Sequence, residues 1–399
     1  MRIAMTAACG AALLLAGAPA ALATSLSGAP FDLVPDAASP QVAVSAFNNK
    51  DGGFGAVIAE DVNGDQTPET IYLQLFDAKG KPNGKKGLVF ETAPTPFPAP
   101  ASATPGGGLP IAGGKTLVGY TDMTFGMSGP VGGFRGQVMS KGKKSGKQVD
   151  LDDSASTTFA YGYLQRLSDG RGLAYWSALD LQQKNEAGAR FVTQAGDPMP
   201  ATINLTRKNS LFSGATPFMD GFIVQHAQYD KKFKKASVFA RVYDASGKPK
   251  GGEATLEDNG KFDDAVFTSA VGLTNGQVVV LRSVATGKGA DISAQLYDGA
   301  LKPAGRPKVL AKGAIDQTYA VHPLAGGDFL FGAKVKDGSK DVALEYSRFS
   351  AALKQVGASA RIAGVAKPDF MQLVDLDGGN VVAIYTSKNA DPAGQVIKP

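Results

Sequence analysis

Cysteine is almost missing from this chain. The one residue, Cys9, lies in the apolar stretch that opens the sequence. The rest has no thiol, which rules out disulfides, thiolate metal sites and a cysteine nucleophile there. Histidine is nearly as scarce, with only His226 and His322, and no His-x-x-x-His pair exists. No glycine-rich phosphate loop and no serine-nucleophile elbow occurs. Apolar runs long enough to span a bilayer are lacking after the opening segment. Apolar residues at helical spacing are also scarce. Charge of one sign is not concentrated enough for a nucleic-acid footprint: the formal net charge is +5.

What is present starts with "MRIAMTAACGAALLLAGAPAALATS". Arg2, an apolar run and Ala21-Leu22-Ala23 follow in the order of a secretory signal peptide. Residues 1–23 are therefore expected to direct export, leaving 24–399 in the periplasm or outside the cell. An uncut N-terminal anchor is the alternative. A thiol-free exported chain of this length needs no staples if it buries a large core.

Glycine is abundant, at 50 residues, and alternating apolar stretches are common. One outline recurs: "LFDAKGKPNGKKGLV" at 75–89, "VYDASGKPKGGEATL" at 242–256 and "LYDGALKPAGRPKVL" at 296–310. With Asp77, Asp244 and Asp298 as markers, weaker copies place Ser140 and Ser350 at the same point. Successive spacings are 63, 104, 54 and 52. The gap of 104 is twice 52, which predicts a degenerate copy near residue 192. Repeats of about 50 residues are in the range of propeller blades. Seven turns rich in Gly, Asp and Asn, each leading into an apolar run, read as a second hairpin in every unit. In the fourth unit the strands fall at about 211–218, 222–229, 237–243 and 253–257. Val238, Ala240 and Val242 share one face of the third strand. The last hairpin, near 376–385, has no second copy after it, and "GAPFDLVPD" at 28–36 stands alone. Residues 30–35 are therefore expected to pair with the blade formed by 365–399, so that the ring leaves no sheet edge open. The fold class is all-β: a single closed β-propeller of four-stranded blades. Seven blades fit better than six, which would leave 365–399 as an appendage.

These units resemble the β-propeller-like repeats of exported bacterial proteins. "DGGFGAVI", "IYLQLFDAKGKPNG", "VFARVYDASGKPKGG" and "ISAQLYDG" carry the likeness over most of 41–385. It implies a fold and an envelope or extracellular setting, and no activity.

"EDVNGDQTPET" at 60–70 supplies alternating oxygen donors on one short loop, as a hard cation requires. It looks like the calcium loop of FG-GAP repeats in integrin-type propellers. That resemblance implies Asp61, Asn63 and Asp65 as side-chain ligands, Thr67 through its carbonyl and Glu69 as the closing carboxylate. Gln66 and Glu69 depart from the usual glycine and aspartate, and the loop occurs once. Calcium is the cofactor expected if the motif holds. A plain acidic turn is the alternative.

Basic residues gather in the turns after the markers: Lys81, Lys85 and Lys86, then Lys143 and Lys144, then Lys248, then Lys302 and Arg306. In a propeller these turns open on one face, so an interrupted basic ring is expected there. It would suit an anionic glycan or a protein partner, or simply keep exposed hairpins solvated. His226 reads as a packed core residue. His322, on an innermost strand, can line the channel. "TAPTPFPAPASATPGGG" at 92–108 reads as an extended spacer. The functional expectation is an exported, non-catalytic scaffold that binds through blade turns. A polysaccharide hydrolase or lyase working at the channel mouth is the alternative.

Overall fold

Seven antiparallel sheets follow one another along the chain in the computed structural model. It describes residues 23–34, 41–62, 67–92, 101–126, 129–152, 159–179, 185–207, 210–232, 234–265, 267–338, 341–365, 371–376, 378–387 and 391–399. Each sheet is a blade whose strands A to D run outward from the axis. The inner strands are Gln41–Asn49, Ser102–Ile111, Phe159–Arg166, Ser210–Phe218, Thr268–Gly272, Tyr319–Pro323 and Met371–Asp375. Blade 4 continues with Gly221–Tyr229, Lys235–Tyr243 and Pro249–Lys261. Its outer strand is longer than the alternation alone indicates.

The recurrent marker residue locks the C–D turn. Asp77 Oδ1 accepts the backbone N–H groups of Lys79 and Lys81 at 2.8 and 2.9 Å. Asp298 does the same for Ala300 and Lys302 at 2.9 and 2.8 Å. Asp244 holds Ser246 and Lys248 at 2.8 and 3.0 Å. An aspartate that satisfies two N–H groups of its own turn fixes the hairpin without help from its neighbours. Thr193 serves the degenerate copy, accepting from the Asp197 N–H at 3.1 Å. Blade 2 departs: Ser140 pairs Lys143 across Lys141 and Gly142, both at positive φ, as a two-residue hairpin requires.

A second device recurs on strand C. The side-chain amides of Gln74, Gln137, Gln295 and Gln395 each donate to the carbonyl of a glycine on the neighbouring outer segment: Gly84, Gly146, Gly305 and Gly28. All four glycines have φ between +76° and +98°. Only glycine takes that turn without strain, and the glutamine satisfies the carbonyl it leaves out of the ladder.

The core is a ring of seven apolar clusters, one between each pair of adjacent blades. Both faces of a blade are thus covered, which explains why Val238, Ala240 and Val242 are buried against blade 5. One interface seats Trp176 over Gly188, where a Cβ would lie 2.4 Å from the indole.

Blade 7 takes its outer strand from the other end of the chain. Ser25–Asp32 runs antiparallel to Pro392–Lys398, with a bulge between Ser27 and Phe31. This strand begins upstream of the expected 30–35. Phe31 lies against Phe54 and Phe76, and Leu33 is fully buried in the cluster between blades 7 and 1. Gly80 and Gly394 leave the space that the Phe31 ring fills.

The spacer reading of 92–108 changes at its second half. Ser102–Ile111 is the inner strand of blade 2, and residues 93–100 lie outside the described residues. An inner strand pairs on one edge only, which is where a sheet tolerates prolines such as Pro105 and Pro110. The register shift between Pro105 and Gly108 is a bulge.

Antiparallel order puts A–B and C–D turns on one face of the ring, and B–C turns and D–A links on the other. No helix among the described residues is long and apolar enough to cross a membrane.

Candidate binding cleft and central channel

The acidic loop is a B–C turn of blade 1. Asn63 and Asp65 lie outside the described residues. Asp61 is buried, Thr67 half-buried, and Glu69 Oε2 accepts the Val62 N–H at 2.9 Å. Glu69 Oε1 is buried with no hydrogen-bond partner. A carboxylate oxygen left over in this way fits a calcium-facing group. Among the described residues, however, no cluster of three or more His, Asp or Glu side chains is placed to hold a metal.

The basic turns fall on the opposite face. Lys81, Lys85, Lys143, Lys144, Lys248, Lys302 and Arg306 are all exposed. Blades 1 and 2 bring part of the set together: a Cβ on Gly142 would lie 3.0 Å from the Lys85 carbonyl. Lys86 turns away from this group. It pairs with Glu60 and lies over the Tyr72 ring, 4.2 Å from its centre. Lys248 and Lys302 belong to blades 4 and 5.

The inner strands enclose a channel whose larger chamber has a volume of about 930 Å³. A second chamber of about 400 Å³ lies against blades 4, 5 and 6. Charged lining is sparse. Among the described residues of the larger chamber, Arg166 and Asp375 carry it, with the His322 imidazole beside them. His322 Nε2 stands 3.7 Å from Asp375 Oδ1, and both close inner strands on the A–B side. His226 lines no chamber. It is 3% exposed and packs edge-on against Phe212 at 5.7 Å. Burial, helped by Arg207 and Arg241, lowers its pKa from 6.5 to about 4.

On the B–C side, between blades 3 and 4, a cleft of about 460 Å³ opens. Tyr161, Tyr163, Tyr175, Ser177 and Phe212 line it. Alternation on strand A of blade 3 puts Tyr161, Tyr163 and Gln165 on one face, the one turned toward blade 4. Tyr161 and Tyr163 are 45% and 49% exposed. Tyr163 stacks on Tyr175 with centroids 5.6 Å apart, and Phe212 meets Tyr175 edge-on at 5.6 Å. Burial raises the pKa of Tyr163, of Tyr175 and, with the neighbouring Tyr163, of Tyr161. All three phenols are therefore neutral donors at ordinary pH. Tyr175 lines the cleft and both chambers, and Gln165 lines both chambers, so the three spaces adjoin one another. Gln165 Oε1 is buried with no hydrogen-bond partner.

No family model and no curated protein matches the chain. Among solved structures it is similar to polysaccharide lyase Uly1, at 10% identity and a TM-score of 0.54, with 90% of each chain covered. An ulvan lyase of polysaccharide lyase family PL25 is similar at 10% identity and a TM-score of 0.49, over 94% of each chain. A protein of unknown function from Dyadobacter fermentans is similar at 12% identity and a TM-score of 0.43, over 90% of this chain and 95% of its own. At such identities the likeness concerns the fold alone: a seven-bladed propeller of four-stranded antiparallel blades. None of these comparisons shows an FG-GAP motif.

Sequence reading passes over Tyr161, Tyr163 and Gln165. The signal is there in "YGYLQR" at 161–166. Two tyrosines and a glutamine alternate with Gly162 and Leu164, the small and apolar residues that pack against blade 2. In an ordinary two-layer sheet the aromatic face would be called core. On the inner strand of this propeller it lines the open wedge between blades 3 and 4.

Proposed function

We propose that this chain is an exported, non-catalytic glycan-binding propeller, with its ligand seated in the cleft between blades 3 and 4. The row Tyr161, Tyr163 and Gln165 carries the reading. Two half-exposed rings on one strand face, inside a concavity, are not the scattered exposed apolar residues of an ordinary surface. The face of an aromatic ring is electronegative and the C–H face of a sugar ring is electropositive, so the two stack. Neutral phenols in the cleft, and the unpartnered Gln165 amide oxygen in the chambers that adjoin it, add the few polar groups that orient a ligand. Channel and cleft together leave room for more than one sugar unit.

The test is binding of a glycan panel by calorimetry, with Tyr161→Ala/Tyr163→Ala as the control variant. Both side chains are half-exposed, so the melting curve should barely move. Loss of binding by about tenfold or more is expected. A variant that binds every positive glycan like the parent would refute the cleft.

The contact between His322 and Asp375 favours a second reading, a lyase or hydrolase at the A–B mouth. The described channel lining carries a single carboxylate, Asp375, and the usual glycoside hydrolysis needs two. A lyase would need a base, and His322 is the histidine within reach. Release of new reducing ends from polysaccharides, abolished by His322→Ala, would establish that reading and displace the first.

A further inference from the structure

We infer that the cleft selects an acidic glycan, its negative groups held by the B–C turn of blade 4; this rests on the binding reading above. The cleft wall and that turn belong to one hairpin. Phe212 pairs with His226, and strand B continues from His226 to Tyr229 before turning. At about 3.3 Å per residue the turn rises on the order of 10–15 Å above the cleft floor, which a short oligosaccharide spans. The turn carries Lys231, Lys232, Lys234 and Lys235, all exposed. Lys261 joins them, paired with Lys235 across strands C and D. None of the five lies within ion-pair distance of a carboxylate among the described residues.

The acids packed nearby are already engaged. Asp230 Oδ1 accepts the Lys234 and Lys235 N–H groups at 2.8 and 3.4 Å. Glu253 pairs with Arg207 at 3.0 Å. Asp258 accepts from Ser237 and Asn259, and Asp264 accepts from Ala285 and Gln317. Asp263 is exposed on the short helix beside them. Hydrogen bonds leave these carboxylates charged, and Asp230 acts directly on Lys232, so the five lysines are partly offset and outnumber the acids by a small margin beside the tyrosine row. The B–C turn of blade 1, across the same face, carries Asp61 and Glu69 and repels the same ligand. A chain bearing carboxylates or sulfates would be drawn to the blade 4 side and oriented by the difference.

The experiment titrates the intact protein with an oligouronate of defined length, with its carboxyl-reduced counterpart and with a sulfated form of the reduced sugar. The oligouronate or the sulfated form should bind about tenfold more tightly than the neutral sugar at low salt. The advantage should vanish near 1 M salt, where the Debye length is about 3 Å. Replacing Lys231, Lys232, Lys234 and Lys235 with Ser should erase it while leaving the neutral sugar's affinity unchanged. Equal affinity for charged and neutral forms overturns the inference and leaves the cleft reading intact. A preference that survives the blade 4 variant but is lost in Lys85→Ser/Lys143→Ser/Lys144→Ser also overturns it, because the charge is then read on the other face. If Tyr161→Ala/Tyr163→Ala binds all forms like the parent, the cleft reading falls and the inference with it.

Discussion

Removing residues 25–33 tests how the ring is closed. The deletion takes away the outer strand of blade 7, the Phe31 ring and the fully buried Leu33. Truncating a buried Leu costs about 2–5 kcal/mol and a buried Phe about 3–5. Phe31 is only partly buried, so the lower end applies to it. The lost ladder bonds, at about 0.5–1.5 kcal/mol net each, are roughly offset by the entropy of ordering that strand. The loss is then about 5 kcal/mol, a large part of the 5–15 kcal/mol that typically separates folded from unfolded chains. With a urea slope of about 3 kcal/mol/M, the midpoint should fall by about 1–2 M. Far-UV circular dichroism during a urea titration reads this directly. Adding a peptide of residues 25–34 should recover part of the shift, since it binds only the folded form. A deletion chain with an unchanged midpoint would show that blade 7 does not depend on the N-terminal strand.

Four further outcomes are expected. His226 has a folded pKa below its unfolded one, so its contribution is intact above pH 6.5, is lost as pH falls toward about 4, and levels off below that. The loss is about 3 kcal/mol, and His226→Gln should flatten that part of a stability–pH curve relative to the parent; matching slopes would contradict the burial argument. If the 61–69 loop holds calcium, calorimetry should find one ion per chain with a Kd on the order of 10⁻⁴–10⁻³ M, abolished in Asp65→Ala, while no heat at millimolar calcium reduces the loop to a turn. The blade 1 and 2 lysines should give weak retention on an anionic column that fades with salt; retention unchanged in Lys85→Ser/Lys143→Ser/Lys144→Ser removes that surface from consideration. Gly188→Ala would push a methyl into the Trp176 indole, costing about 1–3 kcal/mol and lowering Tm by a few degrees; an unaltered melt would mean the interface has slack.

The architecture was legible because its local code is self-contained. Asp77, Asp244 and Asp298 hold their own turns, so the turn chemistry repeats wherever a blade does. Thr193 makes a related bond with a different side chain, which is why spacing found that copy and composition did not. The site was less legible for a geometric reason. Strand alternation separates two faces, but both meet neighbouring blades, and it does not say where the wedge between two blades opens into a cleft. Tyr161 and Tyr163 therefore look like core until the inner strand is placed. Likewise, Pro105 and Gly106 to Gly108 look like a linker because their composition suits one. An edge strand around a channel tolerates the same residues. The lysines near 231–235 follow the second strand of their unit and so fall in a B–C turn, but nothing in the sequence sets them beside a tyrosine cleft.

The pairing of Ser25–Asp32 with Pro392–Lys398 also sets a timetable. Gln395 donates to Ser27 and Gly28 across sequence separations of 368 and 367 residues. At a synthesis rate of about 5–20 residues per second, the first strand made waits on the order of tens of seconds for its partner. An idle strand is a template for wrong pairing. This one reads Ser-Leu-Ser-Gly-Ala-Pro-Phe-Asp, and its side chains stay mostly exposed even in the finished ring. Its glycine turn at Gly28 and its proline at Pro30 interrupt the flat edge that aggregation needs. The segment that completes the ring is thus one that can stay single while the rest of the chain is still being made.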